Sequence, residues 1–305
     1  MSSAKRLAAV LGAAFAASTA VAASGATAWT AVGEASGIVF ARGDDLYVTS
    51  TDGEDVRRLA RRAGQPTVSP DARHIAFVRN RAVWVMERDG SGQRRATSGH
   101  DDLTPEWSAD GRFIYFSRLV EGEDAYGGYE FARPIFRVEI DGGGLRQLTR
   151  PTPSDHGTCH DSPAAAPDGR IVAFAVFAEC DRGYGVAISA IDPEGKPRSL
   201  GRFDLAQAGF DPAWSPDGRS FAYTTLNEGE QSTGIAVAEA RRRAVRIYRR
   251  AAADPAWSPD GRWVALVRTS GSRGTIWLVR SDGTGLRRLS SRRYDSDPAW
   301  LPALR

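Results

Sequence analysis

The nine residues DPAWSPDGR occur twice in this chain, at residues 211–219 and again at residues 254–262. Looser or truncated copies of the same motif lie at residues 65–73, 104–112, 162–170 and 297–300. Consecutive prolines at the second position of these six copies are 39 to 58 residues apart. Repetition with a period of about 40 to 45 residues is typical of a β-propeller, in which each repeat forms one four-stranded blade.

Each copy predicts the same succession of strands. Proline is expected to open the first strand, where its missing N–H is tolerated, and tryptophan supplies packing surface between sheets. Ser-Pro-Asp-Gly then forms a tight hairpin, because Pro presets φ and Gly accepts a positive φ. Apolar runs such as residues 113–116 and 264–267 suit second strands covered on both faces. Third strands follow, and short arginine-rich fourth strands protect the outer edge from pairing.

The two ends of the chain are predicted to share one blade. Residues 38–41, 46–49 and 57–60 match second, third and fourth strands, and no first strand precedes them. Residues 298–300 supply the missing first strand from the other end. We therefore expect one all-β domain over residues 29–305, a six-bladed propeller of four-stranded blades closed by a C-terminal strand that joins the N-terminal blade.

The N-terminus is predicted to be an export signal over residues 1–28. Lys5 and Arg6 precede an uncharged apolar run, and small residues permit cleavage after Ala22 or Ala28. The alternative is an uncleaved anchor, but the run is short for a membrane span and alanine contributes little to insertion. We expect an exported protein, either secreted or located in the cell wall or periplasm, with no stable membrane span after processing.

Composition excludes several classes of protein. Apolar residues make up 42% of the chain and charged residues 25%, which excludes wholesale disorder and a polytopic membrane protein. The 40 Lys and Arg residues exceed the 37 Asp and Glu residues only slightly and are scattered, whereas nucleic-acid binders cluster their cations on one face. We therefore expect no nucleic-acid partner. As a separate expectation, the protein is a monomer.

The motif followed by an apolar strand, an Asp-Gly turn and Arg-x-Leu-Thr resembles the repeat of TolB-type exported propellers, over about residues 37–302. That resemblance implies a scaffold that binds other proteins. Similar repeats occur in propeller caps of prolyl-oligopeptidase-like peptidases and in oligogalacturonate lyases, where histidines hold a metal. The sequence contains no G-x-S-x-G motif, so the catalytic machinery of the peptidases is missing.

Two insertions are predicted on one face of the propeller, where loops between second and third strands lie beside the crossings between blades. Residues 117–134 and 150–161 are far longer there than their counterparts, and long loops on a rigid scaffold concentrate binding residues. Their aromatic and acidic side chains suit a protein or envelope-glycan partner. The alternative is a solvated insertion with its aromatics folded onto the blade. The predicted partner-binding residues are Glu121, Glu123, Tyr126, Tyr129, Phe131, Arg133 and His156.

Histidines and carboxylates are predicted near the mouth of the central channel. The lyase resemblance implies that such residues hold Zn²⁺ or Mn²⁺, whereas the alternative is that they fix the crossings by hydrogen bonds. The candidate ligands are His100, His156, His160 and Asp161. A metal-dependent, carbohydrate-active enzyme is thus the alternative to a non-catalytic binding scaffold without a cofactor.

A ring of polar residues is expected at the same mouth, directly before the motif prolines. The carboxylates of the ring are Asp211, Asp254 and Asp297, and the other blades place Gln65, Thr104 and Ser162 there. Three carboxylates attract a cation such as Ca²⁺. The alternative, which we favour, is that they accept hydrogen bonds from backbone N–H groups at the turn into the strand.

Cys159 and Cys180 are the only two cysteines, and we expect them to form a disulfide, since export exposes both to an oxidising compartment. Both are predicted on one face of one blade. The bond encloses about 20 residues, and closing such a loop stabilises the fold by about 3 kcal/mol in the chain-entropy model. Mass spectrometry of unreduced protein after alkylation should show no modified cysteine, and two alkylated thiols would contradict the pairing.

Overall fold

The computed structural model describes residues 36–99, 101–123, 129–151, 159–177, 187–201, 203, 209–227, 231–271, 273–290 and 294–304. These residues form strands, turns and irregular segments, with no helix among them. Accordingly, this described part holds no helix long and apolar enough to cross a membrane. The predicted export signal, residues 1–28, lies outside the described residues.

Blades 1 to 3 are antiparallel four-stranded sheets, and their strands are named from the innermost outward. Blade 1 consists of β25 (Asp295–Leu301), β1 (Gly37–Arg42), β2 (Asp45–Ser50) and β3 (Val56–Arg61). Blade 2 consists of β4 (Gly64–Val68), β5 (His74–Arg79), β6 (Ala82–Glu87) and β7 (Arg94–Arg95). Blade 3 consists of β8 (Asp102–Trp107), β9 (Phe113–Arg118), β12 (Ile135–Glu139) and β13 (Arg146–Gln147).

Blades 4 to 6 continue the ring. Blade 4 consists of β14 (Cys159–Ala165), β15 (Val172–Phe177) and β16 (Ala187–Ile191), and a single bridge from Ile191 to Pro197 marks its fourth position. Blade 5 consists of β17 (Ala213–Trp214), β18 (Ser220–Leu226), β19 (Ser232–Glu239) and β20 (Val245–Tyr248). Blade 6 consists of β21 (Ala252–Trp257), β22 (Trp263–Ser270), β23 (Arg273–Arg280) and β24 (Arg287–Arg288).

The blades close into a ring around a central axis, as the repeat predicted. Innermost strands contact one another in the order β4, β8, β14, β17, β21, β25 and back to β4. Blade 1 unites both ends of the chain, since Ile38 of β1 pairs with Trp300 of β25. Arg42 adds a two-pronged ion pair to the fully buried Asp295, with distances of 2.6 and 3.0 Å. The six-bladed, all-β fold and its terminal closure are therefore confirmed.

The motif proline does not open the first strand, except in blade 5. In the other blades the strand begins before the proline, and the ladder shifts register around it, for example between Ala253 and Ala256 in blade 6. The residue preceding the proline has a φ of +48° to +53° in all six copies. Proline therefore lies at a β-bulge, where the ladder does not need its N–H.

Motif tryptophans join neighbouring blades through hydrogen bonds as well as packing. The indole N–H of Trp257 donates to the backbone carbonyl of Ala213 at 3.2 Å, and that of Trp300 donates to Ala256 at 2.9 Å. In each pair the acceptor is the residue after the motif proline of the preceding blade. The same bond links Trp107 to Thr67 and Trp214 to Ala164.

The Ser-Pro-Asp-Gly turn forms the expected tight hairpin with a structural aspartate. In blade 6 the Ser258 hydroxyl donates to Asp260 at 2.6 Å, and Asp260 accepts the N–H of Arg262 at 3.0 Å. Ser258 Oγ also accepts the N–H of Trp263 at 2.9 Å. The serine-to-aspartate bond recurs from Ser69 to Asp71, Ser108 to Asp110 and Ser215 to Asp217.

Deleting residues 297–305 should destabilise the whole propeller, because it removes most of the innermost strand of blade 1. The loss of the buried side chains of β25 costs about 3 to 5 kcal/mol, which lowers the melting temperature by about 10 °C or more. The control is deletion of residues 303–305, since residues 303 and 304 are exposed. Thermal unfolding of both proteins checks the closure, and equal melting temperatures would contradict it.

Candidate functional site

A ring of hydrogen bonds surrounds the channel where the six residues that precede the motif prolines meet. Asp211 accepts the backbone N–H of Asp254 at 3.3 Å, and Asp254 accepts that of Asp297 at 3.3 Å. Asp297 accepts a hydrogen bond from the backbone of Gln65, whose own amide oxygen accepts the N–H of Thr104 at 2.8 Å. Each side chain therefore holds the backbone of the next blade.

Thr104 and Ser162 complete the ring. Thr104 Oγ1 accepts the N–H of Ser162 at 3.3 Å, and the Ser162 hydroxyl donates to Asp211 at 3.2 Å. As predicted, the ring carboxylates accept hydrogen bonds from backbone N–H groups. These N–H groups belong to the following blade, however, and not to the turn that contains the carboxylate. Since positive φ is unfavourable for residues other than glycine, the hydrogen bonds offset strain at every ring position.

Burial makes the ring carboxylates hold protons more tightly than free aspartates. It raises the pKa of Asp211 to about 6, and that of Asp254 well above its usual value. Burial likewise raises the pKa of Asp297. A further carboxylate, Asp161, lies beside them and accepts the hydroxyls of Thr104 at 2.6 Å and Ser117 at 2.8 Å. Acidic side chains are thus concentrated at the channel mouth, and their oxygens already accept hydrogen bonds that stabilise the fold.

The candidate metal ligands do not gather in the described part of the chain. His160 and Asp161 were expected in the crossing loop. They lie instead in β14, which begins at Cys159. His160 Nδ1 is 2.8 Å from Thr149 Oγ1, and burial lowers the pKa of His160 to about 4. Among the described residues no three His, Cys, Asp or Glu side chains are placed to hold a metal. His100 and His156 lie outside the described residues.

The first insertion forms a hairpin of its own, separate from the blades. It consists of β10 (Val120–Glu123) and β11 (Tyr129–Ala132), which form a two-stranded sheet. The corresponding connections in blades 1 and 2 contain only residues 43–44 and 80–81. Glu121 is exposed, and Glu123 pairs with Tyr129 through the backbone. Phe131 lies in β11, whereas Tyr126 falls outside the described residues.

The base of the hairpin is fixed to the innermost strand of blade 4. Arg133 forms an isolated parallel β-bridge with Cys159, and the carbonyl of Arg133 accepts the N–H of His160 at 2.7 Å. The Nη1 of Arg133 is buried and has no hydrogen-bond partner among the groups that the structure describes. Cys159 is buried at the start of β14, and Cys180 lies outside the described residues, so their pairing stays a prediction.

Two charged groups near the channel were not anticipated from the sequence. Glu106 takes the place of the motif alanine, accepts the hydroxyl of Thr67 at 2.9 Å, and has its pKa raised to about 7 by burial. Arg118 makes a two-pronged ion pair with the fully buried Asp102, at 2.6 and 2.9 Å. The only sequence signal for Glu106 is the copy TPEW, which has a charged residue where DPAW has alanine.

No family model and no curated protein matches the sequence. Solved structures share its fold, among them TolB from Acinetobacter baumannii, with 20% identity, a TM-score of 0.65, and coverage of 88% of this chain and 67% of that one. The fold is that of a TolB-like propeller. A putative TolB from Agrobacterium tumefaciens is 18% identical, with a TM-score of 0.60 and coverage of 84% and 89%. Hydrazine synthase of Kuenenia stuttgartiensis is 15% identical, with a TM-score of 0.66 and coverage of 89% and 47%.

Glu106 should make the stability of the TolB-like propeller depend on pH. Its pKa is about 7 in the folded state against 4.5 unfolded, so the folded state binds this proton more tightly. The resulting stabilisation is complete below pH 4.5 and is lost as the pH rises through 7, by at most about 3 kcal/mol. Chemical unfolding of wild type and Glu106→Gln across this range measures the difference, and parallel curves would contradict it.

Proposed function

We propose that this protein is an exported, non-catalytic scaffold that binds a protein or an envelope glycan through its insertion face. The insertion face consists of the hairpin β10–β11 together with the crossing at residues 150–158. The observation that carries the proposal is the hairpin itself, a separate two-stranded sheet on a ring whose comparable connections in blades 1 and 2 are two residues long. Binding residues concentrate on such extensions of a rigid scaffold.

The attachment of the hairpin favours a binding role over a solvated loop. Its base is hydrogen-bonded to β14 through Arg133 and His160, so the segment starts from a fixed point. Fixing a binding element in advance reduces the ordering cost of association. The base of the hairpin is therefore already held in place before a partner binds.

The residues of the insertion face suit a partner that offers hydrogen-bond acceptors and apolar contacts. Arg133, at the base of the hairpin and partly exposed, is proposed as the polar contact, since a guanidinium carries five N–H donors. Tyr126, Tyr129 and Phe131 are proposed as the aromatic contacts, with His156 at the inner edge. Aromatic and arginine side chains usually contribute most to such interfaces.

The TolB-like fold is consistent with this role and with export. TolB-type propellers bind other proteins, and the predicted export signal at residues 1–28 directs the chain out of the cytoplasm. The fold does not determine an activity by itself, because hydrazine synthase contains the same architecture. The proposal therefore depends on the insertion face and its partner.

Replacing Tyr126 and Tyr129 by alanine should weaken partner binding by about 2 kcal/mol or more, because these anchors carry most of the contact energy. The melting temperature should stay nearly constant. The matched control is Tyr294→Ala, which removes an exposed tyrosine, 52% accessible, in the segment between blades 6 and 1. Purified proteins are compared by capture from the envelope fraction of the producing cells. Equal capture by the double variant and the control would contradict the proposal.

Metal analysis of the purified mature protein separates this function from the enzymatic alternative. A scaffold should contain no stoichiometric Zn²⁺, Mn²⁺ or Ca²⁺ and should capture its partner after treatment with a chelator. One equivalent of bound metal that is lost in His156→Ala or His160→Ala would contradict a scaffold without a cofactor. It would then support a metal-dependent, carbohydrate-active enzyme at the channel mouth.

A further inference from the structure

Four blades place an arginine at or near the end of the second strand, over an aromatic ring of the third strand. The guanidinium carbon of Arg42 lies 5.2 Å from the ring centre of Tyr47, and that of Arg268 lies 5.6 Å from Trp277. The same arrangement joins Arg79 to Trp84 and Arg118 to Phe136, both at 5.1 Å. The repeat thus presents equivalent cations whose partners can be compared between blades.

In blades 1 and 3 the innermost strand supplies a carboxylate to this arginine. Asp295 pairs in register with Arg42, and Asp102 pairs in register with Arg118. Both carboxylates are fully buried and make two-pronged ion pairs. In blade 6 the residue in register with Arg268 is Ala252. Blade 6 therefore keeps the arginine and has lost its acidic partner.

A second carboxylate is also replaced in blade 6. In blade 1, Arg58 lies beside Tyr47 on the outermost strand and forms an ion pair with Asp45 at 3.3 Å. The equivalent arginine of blade 6 is Arg288, which pairs in register with Trp277. Asp45 lies two residues before the aromatic ring, and blade 6 has Thr275 at that position. Both acidic positions of blade 1 are thus uncharged in blade 6.

The same place in blade 6 contains a cavity and a third arginine. A pocket of about 310 Å³ is lined by Arg268, Ser270, Arg273, Thr275, Trp277 and Arg288. Within the described part of the chain, no ion pair joins Arg268 or Arg273 to an acidic side chain. Arg273 is exposed at the rim. Three cations therefore surround a space that lacks the carboxylates of blades 1 and 3. Arg288 already donates to the carbonyl of Ser290, so Arg268 and Arg273 carry the argument.

We propose that this blade 6 pocket binds the oxyanion of a small ligand, either a carboxylate or a phosphate monoester. A bound oxyanion would occupy the role that Asp295 and Asp45 fill in blade 1. Guanidinium groups bind such groups through paired, charge-assisted hydrogen bonds, and the hydroxyls of Ser270 and Thr275 provide further donors. A volume of 310 Å³ lies at the lower end of small-molecule sites, which fits a ligand of the size of one sugar residue.

The site does not depend on the proposed partner binding. It lies in blade 6, whereas the insertion hairpin belongs to blade 3, on the other side of a six-membered ring. Either function can therefore fail without affecting the other.

Titration calorimetry of the full mature protein at constant ionic strength tests the pocket. The probes are inorganic phosphate, glucose 6-phosphate and glucuronate, with neutral glucose as the control ligand. At least one anion should bind with a stoichiometry of one, and glucose should not bind. Binding by both phosphate and glucose 6-phosphate assigns a phosphate site, and binding by glucuronate alone assigns a carboxylate site.

The sharpest variant is Ala252→Asp, which restores the internal carboxylate that Asp102 and Asp295 provide in other blades. It should weaken anion binding about tenfold or more while preserving the melting temperature, because the new ion pair occupies the pocket. Arg273→Ser should weaken binding similarly, and it tests the site even if the first variant folds poorly, since Arg273 is exposed. The control is Arg219→Ala, an exposed arginine at the Ser-Pro-Asp-Gly hairpin of blade 5.

Two outcomes would overturn the proposal. One is that the wild-type protein binds none of the three anions up to about 10 mM, the range of very weak affinity. The other is that Ala252→Asp and Arg273→Ser both bind the anion as tightly as wild type. In that case the anion occupies some other cationic surface of the propeller.

Discussion

The structure depends on hydrogen bonds that pass from each innermost strand to the next one around the channel. At every residue that precedes a motif proline, a polar side chain reaches the neighbouring blade, as Asp254 does when it accepts the N–H of Asp297. The backbone at these positions has positive φ, which costs energy for residues other than glycine. Because each bond holds two blades, the ring tolerates that strain only when it is closed. The C-terminal strand β25 is therefore part of the core of the fold and not an appendage.

The number of blades and their closure could be predicted from the sequence, because repetition preserves both the period and the missing strand. The Ser-Pro-Asp-Gly hairpin was also predictable, since its contacts lie within a few residues of one another, as in Ser258 to Asp260. The bulge at the proline was not, because it depends on the bond that the preceding residue makes to another blade. For the same reason the sequence placed His160 and Asp161 in a crossing, whereas they lie in β14.

The candidate site shows a similar division. Loop length alone predicted an insertion between the second and third strands of blade 3, and the hairpin β10–β11 lies there. The contact that fixes it, between Arg133 and His160, joins residues from two blades and has no local signature. Glu106 was missed although its substitution in the motif is visible, because burial and not residue type raises its pKa to about 7. A residue that differs from the repeat motif can therefore be found in the sequence, but its pKa depends on the burial and hydrogen bonds that the fold imposes.

Blade 6 shows how a repeat can diverge chemically without losing its shape. Arg118 and Arg268 occupy equivalent positions over aromatic rings, yet one meets a buried carboxylate and the other meets Ala252. The ring of hydrogen bonds and the tryptophan bonds hold blade 6 in place, so Arg268 and Arg273 are not needed for closure. Those cations can then serve a ligand, whereas in blades 1 and 3 they remain committed to ion pairs within the fold. Comparison between blades of one chain thus separates structural arginines from those available for binding.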